Sequence, residues 1–149
     1  MALTPQLPNT VSTHTLWRVN PKLASKKSDN IRILLADDSE TFLRAAQVLL
    51  KEYNIETAAD GEEALAKIKA NPPDIFFVDL VLPKISGTEL ISKITADYPD
   101  VAIVALTAID DDETVQEVLE MGAKDYLIKG ALSSDTFKSI IERLTTDSS

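Results

Sequence analysis

The sequence predicts a doubly wound α/β domain: a five-stranded parallel sheet with helices on both faces. Three observations point there. Short apolar runs of three to six residues alternate with amphipathic helical patterns, as buried parallel strands do. Each apolar run ends in a polar residue that is able to do chemistry. The breakers between them (Asp60-Gly61, Pro72-Pro73, Gly122) fall where the period changes.

The elements follow in order from Ile31. The first strand is read over Ile31–Leu35, running into Asp37 and Asp38. A helix over Ser39–Glu52 brings Phe42, Ala46, Leu49, Leu50 and Tyr53 to one face. A weaker strand covers Ile55–Ala58. The Asp60-Gly61 turn opens a helix over Glu62–Ala70 with Leu65 and Ile68 inward, and it stops before Pro72 because a residue preceding proline avoids the helical region. The third strand, Asp74–Val78, leads to Asp79. Ser86 and Glu89 have capping-box spacing before a helix over Thr88–Ala96 that buries Leu90, Ile91 and Ile94.

The fourth strand, Val101–Leu106, leads to Thr107. Asp110 to Glu113 place negative charge at the positive dipole end of the next helix, which buries Val115, Val118 and Leu119 and stops at Gly122. The fifth strand, Asp125–Ile128, leads to Lys129. The last helix, Ser134–Leu144, buries Phe137, Ile140, Ile141 and Leu144. Right-handed crossovers put such helices on both faces of the sheet.

The chain is 149 residues, enough for one domain with a sizeable core. Its net charge is −9, unevenly placed: residues 1–30 are net +3 and the remainder net −12. An acidic body disfavours direct nucleic-acid binding, which needs phosphate neutralisation. No apolar run nears the length of a membrane helix, and no cationic start followed by an apolar stretch suggests a secretory signal. The absence of cysteine excludes disulfides and thiolate metal sites and agrees with a cytoplasmic location. Residues 1–30 contain Pro5, Pro8 and Pro21 without sustained periodicity and read as a flexible N-terminal extension. Trp17, beside Leu16 and Val19, could mark a short partner-binding element there. Residues 31–146 read as the folded domain, and 147–149 as a polar end.

In an open parallel sheet, ligands bind beyond the carboxyl ends of the strands. Asp37, Asp38, Asp79, Thr107 and Lys129 should therefore meet. Two unit charges 4 Å apart repel by about 4 kcal/mol at an effective dielectric near 20, so clustered carboxylates raise a pKa or take up a cation. An all-oxygen set favours Mg²⁺ or Mn²⁺ over zinc. A carboxylate beside such an ion is a competent nucleophile for phosphoryl transfer. Lys129 supplies a point charge for a phosphoryl oxygen, and Thr107 a hydroxyl. Each residue alone has a plainer reading: a cap, a turn residue, a surface lysine, a strand-ending β-former. Their joint occurrence at four strand ends favours a site.

Five spaced segments carry a resemblance. They are Ile33–Ser39 (ILLADDS), Ala59–Leu65 (ADGEEAL), Asp79–Gly87 (DLVLPKISG), Val104–Ala108 (VALTA) and Gly122–Lys129 (GAKDYLIK). Together they resemble the receiver domain of bacterial two-component response regulators over about residues 31–145. The resemblance implies a CheY-like, flavodoxin-like three-layer sandwich with strand order 2-1-3-4-5. It implies that Asp79 accepts a phosphoryl group from a histidine kinase or phosphotransfer protein. It further implies Mg²⁺ on Asp38, Asp79 and the Val81 carbonyl, with Asp37 acting mostly through water. Lys129 and Thr107 would hold the phosphoryl oxygens. Thr107 and Tyr126 would form the switch, and the face of the fourth helix, fifth strand and fifth helix would change protein partners, homodimerisation included.

The pattern has departures. Gly130 follows Lys129 where most receivers have proline; without proline a cis bond there costs roughly 2.5–4 kcal/mol, so the bond should be trans. Val81 and Ile109 are apolar where many receivers are polar, which would hinder attacking water and prolong the phosphorylated state. A lone His14 lacks the helical-bundle context of phosphotransfer domains. The leading expectation is a phospho-accepting signalling protein, not an enzyme with a turned-over substrate. Met1 and the polar end at Ser149 favour a complete protein over the receiver portion of a larger regulator or hybrid kinase. A Mg²⁺-dependent phosphohydrolase is disfavoured by Val81, which occupies the place of a second aspartate, and by the lack of a cap insertion. A receiver-like scaffold that no longer switches is the third class.

Overall fold

The computed structural model describes Leu23, residues 26–108 and residues 111–145. Five βα units run β1 (Arg32–Ala36), α1 (Glu40–Leu49), β2 (Asn54–Ala58), α2 (Gly61–Ala70), β3 (Ile75–Asp79), α3 (Gly87–Asp97), β4 (Ala102–Thr107), α4 (Asp112–Met121), β5 (Asp125–Ile128) and α5 (Ser134–Thr145). All strand pairs are parallel, in the order β2-β1-β3-β4-β5. The predicted strands and helices are all present, with most ends displaced by one or two residues. His14, Trp17 and Ile109 lie outside the described residues, as do residues 147–149.

Strand periodicity of two sorts side chains between the faces. Ile33, Leu35, Ile75, Phe77, Val104 and Leu106 join one buried cluster with Leu43 and Ala46 of α1, Leu50 at its C-terminal cap, and Phe137, Ile140, Ile141 and Leu144 of α5. Leu34, Ala36, Phe76, Val78, Ile103 and Ala105 join the other, with Ala64, Ile68, Leu90, Ile91, Ile94 and Val118 from α2 to α4. Phe77 meets Phe137 edge-on, with ring centroids 5.3 Å apart, which locks α5 across β3. All five residues of β3 are buried, as befits the central strand.

Three expectations about helix faces change. Leu43, not Phe42, is the buried first-turn residue of α1; Phe42, Leu49 and Tyr53 are half-buried and flank the cluster. The helix presents Leu43 and Ala46 to the sheet, with Leu50 buried at its C-terminal cap. Leu119 is 40% exposed and Val115 only half-buried, because α4 turns the single residue Val118 fully inward. Ala64 is buried in α2 beside Ile68, while Leu65 is half-buried.

Local chemistry fixes the ends. Ser39, Asp60 and Ser86 cap α1, α2 and α3 by accepting from the backbone N–H groups of Phe42, Glu63 and Glu89. Glu63 reaches back to accept from the Ala59 N–H at 2.8 Å. Gly122 ends α4 at φ +127°, and a Cβ there would run into the Thr95 side chain, so glycine is required.

The segment before β1 contributes to the core. Leu23 is 2% exposed within the first cluster, and Lys26 pairs with Asp74 at 2.9 Å. Asp74 also accepts from the Arg32 N–H at 2.9 Å, so this contact anchors the start of β1. Leu23→Ala should lower unfolding free energy by about 2–4 kcal/mol in urea titration, against under about 0.5 kcal/mol for the exposed Val48→Ala.

The Asp60 carboxyl is held below its usual value by the Glu63 N–H bond, which with Lys84 alongside outweighs desolvation. A depressed folded pKa stabilises above the unfolded value of 3.8 and is lost as pH falls through the folded value. Asp60→Asn should therefore be less stable than wild type at neutral pH, and the gap should close progressively as the pH is lowered below 3.8. Denaturation midpoints measured across pH check this.

Candidate functional site

Four strands deliver their ends to one edge. Asp37 follows β1 directly and donates its backbone N–H to Ala58 O at 3.0 Å, so strand pairing continues to the site. Asp79 is the last residue of β3 and Thr107 the last of β4. Lys129 follows β5, whose Ile128 pairs with Thr107. Register therefore brings together residues up to 92 positions apart in sequence.

One carboxylate oxygen from each of Asp37, Asp38 and Asp79 lies within 4.8 Å of the others. Asp37 is fully buried, Asp79 is 8% exposed and Asp38 faces solvent. Lys129 spans the inner pair: Nζ is 2.7 Å from Asp37 Oδ2 and 3.1 Å from Asp79 Oδ2. The other oxygens accept from the main chain, Asp37 Oδ1 from the Ser39 N–H at 2.8 Å and Asp79 Oδ1 from the Val81 N–H at 3.1 Å.

The electrostatics follow. Burial pushes the Asp37 carboxyl up, and the Asp79 charge adds to this, against Lys129 and the Ser39 N–H. Desolvation pulls the Lys129 ammonium down but is outweighed by its two carboxylate partners, so its pKa is raised. Asp37 Oδ2 is buried, and its contact with Lys129 is a close ion pair without hydrogen-bond geometry. A buried oxygen short of a directed partner, within an all-oxygen set, fits a hard divalent cation that would complete its coordination. Asp37, Asp38 and Asp79 are the side chains able to hold one, and the Val81 main chain lies next to Asp79.

The loops are held close by backbone contacts. Gly87 opens α3 against β3: a Cβ there would overlap the Asp79 carbonyl oxygen and Leu80 Cα, so only glycine allows this approach. Lys84, at φ 72°, centres a tight three-residue turn closed by the Ile85 N–H on Pro83 O at 2.8 Å. Its ammonium lies 3.4 Å from Asp60 and 3.8 Å from Glu62, joining this loop to the start of α2.

Asp37, Asp38, Asp79 and Lys129 come together at this edge, Thr107 ends β4 there, and Tyr126 lies two residues back along β5. Thr107 is 6% exposed. Tyr126 is half-buried beside β4, paired with Ala105, and packs on the second cluster. The Val81 side chain is 79% exposed beside Asp79. No peptide bond is cis among the described residues, so Lys129-Gly130 is trans. The sequence did not single out Phe42 for the site. Its ring lies 4.9 Å from Lys129 Nζ. Its place in an apolar helical stripe gave only a core signal.

Comparison with known proteins agrees with this architecture. The family model described as response regulator receiver domain matches residues 33–142. The alkaline phosphatase synthesis transcriptional regulatory protein PhoP of Bacillus subtilis is 37% identical over 102 residues, covering 67% of this chain and 42% of the relative. The chemotaxis protein CheY4 of Vibrio cholerae superposes with a TM-score of 0.72 at 29% identity, over 77% of this chain and 98% of that one. The CheX-CheY-BeF3-Mg²⁺ complex of Borrelia burgdorferi gives a TM-score of 0.69 at 26% identity, over 75% of this chain and 87% of that one. This chain spans under half the length of curated relatives such as PhoP. With a CheY-like fold, a gathered acidic edge and a family match over most of its length, the chain belongs to the response regulator receiver domains of two-component signalling.

Proposed function

We propose that Asp79 accepts a phosphoryl group from a phosphohistidine on a histidine kinase or phosphotransfer protein, and that this changes which proteins the domain binds. One observation carries the reading. The Lys129 ammonium and the Val81 N–H engage the two oxygens of Asp79 beside two further carboxylates. This leaves a carboxylate oriented and partly neutralised, as a nucleophile at phosphorus must be.

In the transfer, an Asp79 oxygen forms the O–P bond as the N–P bond of the donor breaks, and the released imidazole takes up a proton. Asp37, Asp38, Asp79 and the Val81 carbonyl would hold Mg²⁺, or Mn²⁺ in its place. Bound there, the ion supplies positive charge that offsets the carboxylates and the transferring group. Lys129 steadies a phosphoryl oxygen, and Thr107 offers its hydroxyl from the end of β4. The protein is a phospho-acceptor that assists its own modification and turns over no separate substrate.

The new acyl phosphate removes the Asp79 carboxylate charge and adds a phosphoryl group bearing negative charge of its own. Thr107 and Tyr126, on the paired strands β4 and β5, form the two-state element this biases. The output surface is α4, β5 and α5. A cleft of about 440 Å³ there is lined by Tyr126, Ile128, Ala131, Thr136, Ile140 and Arg143. The partner is a protein, a second copy being one candidate; the acidic body does not suit nucleic acid. No helix among the described residues is long and apolar enough to cross a membrane, and we place the domain in the cytoplasm. We take residues 31–146 as the receiver domain and residues 1–30 as an N-terminal extension, of which Leu23 and Lys26 pack on the domain. The greater length of curated relatives supports a second reading, in which this receiver is part of a larger regulator or hybrid kinase.

Incubation with acetyl phosphate and Mg²⁺, followed by intact mass measurement, tests the proposal. One phosphoryl group should add to wild type. None should add without the ion or in Asp79→Ala. No addition to wild type, or addition that persists in Asp79→Ala, would contradict it.

A further inference from the structure

Lys129 also approaches a side chain that is neither acidic nor titratable. Its Nζ stands 4.9 Å from the centroid of the Phe42 ring. At that distance the negative face of an aromatic ring attracts an ammonium. The ring is set by the same few residues that build the acidic edge. The Phe42 N–H donates to Ser39 Oγ at 3.2 Å, and the Ser39 N–H donates to Asp37 Oδ1 at 2.8 Å. Phe42 also packs against the first core cluster. Inner carboxylate, helix cap and aromatic ring form one short, tied segment.

Lys129 gains little from its own chain neighbour. Gly130 has no side chain, and open space surrounds the position a Cβ would take. Fixing a lysine side chain costs about 1.5–2 kcal/mol of rotamer freedom. Its carboxylate partners are also inconstant. On the phosphorylation reading, on which this inference rests, a divalent ion competes with Lys129 for Asp37 and Asp79, and formation of the acyl phosphate removes the Asp79 charge. The ring carries no charge for either event to change.

We propose that Phe42 is a positioning residue: its ring holds the Lys129 ammonium at the site whatever the charge state of the carboxylates. The full-length chain is compared as wild type, Phe42→Leu and Phe42→Tyr, with Phe42→Met in place of leucine if Phe42→Leu fails to fold. One readout is the initial rate of phosphorylation by acetyl phosphate with Mg²⁺. The other is the NMR shift of the Lys129 ε-methylene, assigned by its loss in Lys129→Arg. A ring-current shift reports that the ring face stands over the lysine side chain, which a ring packed only against the core would not give.

In the aliphatic variant the rate should fall roughly tenfold and the ε-methylene should lose its upfield displacement, with the fold retained. Phe42→Tyr should keep both near wild type. An aliphatic variant as fast as wild type, an ε-methylene unmoved by it, or equal slowing in Phe42→Tyr would overturn the proposal. If wild type takes no phosphoryl group, the functional reading fails separately, and the ε-methylene shift alone decides whether the ring holds the ammonium.

Discussion

The rest of the site depends on one ammonium placed between two buried carboxylates. Asp37 and Asp79 come from neighbouring strands and are almost without solvent. Their repulsion alone would be worth about 4 kcal/mol at 4 Å and an effective dielectric near 20. Lys129, 2.7 Å and 3.1 Å from them, offsets that cost. The third acid, Asp38, remains in water and adds charge without adding burial. The result is an edge that keeps a net negative charge, three carboxylates against one ammonium, where an added cation or a lost carboxylate charge alters every partner of the lysine.

The sheet makes this placement possible. Parallel strands all finish at the same edge, so each crossover helix returns the chain to deliver one more polar residue there. Apolar side chains alternate between two clusters along every central strand, which leaves no freedom to slip by one residue without turning the core outward. The positions of Asp37, Asp79, Thr107 and Lys129 are thus set by core packing far below them. The Leu23 and Lys26 contacts extend that packing at the opposite end, around Asp74 at the entrance to β3.

Much of this was legible in the sequence, and for identifiable reasons. Apolar runs bounded by Asp79 or Thr107 have few alternatives to a buried strand, and Asp60 and Ser86 announce the helices they cap. The acidic cluster followed from topology once the strands were recognised. Other features were less visible. Phe42 fitted an apolar helical stripe, so its approach to Lys129 carried no separate signal. Leu119 fitted the stripe of α4, but that helix packs on too narrow a front to bury it. Leu23 sits in a polar, proline-containing stretch without periodicity, and only the three-dimensional fold puts it beneath the sheet. These misses share one cause: a pattern within one element does not specify what a distant element presents to it.

The central claim, that three strand-end carboxylates form one divalent-cation site beside Lys129, is tested most directly by paramagnetic broadening of backbone amides with substoichiometric Mn²⁺. The account predicts selective loss of signals around Asp37–Ser39, Asp79–Leu82 and Thr107, sharply reduced in Asp38→Asn and reversed by excess Mg²⁺. Broadening centred instead on the acidic start of α4 at Asp111–Glu113, or none at the strand ends, would contradict it.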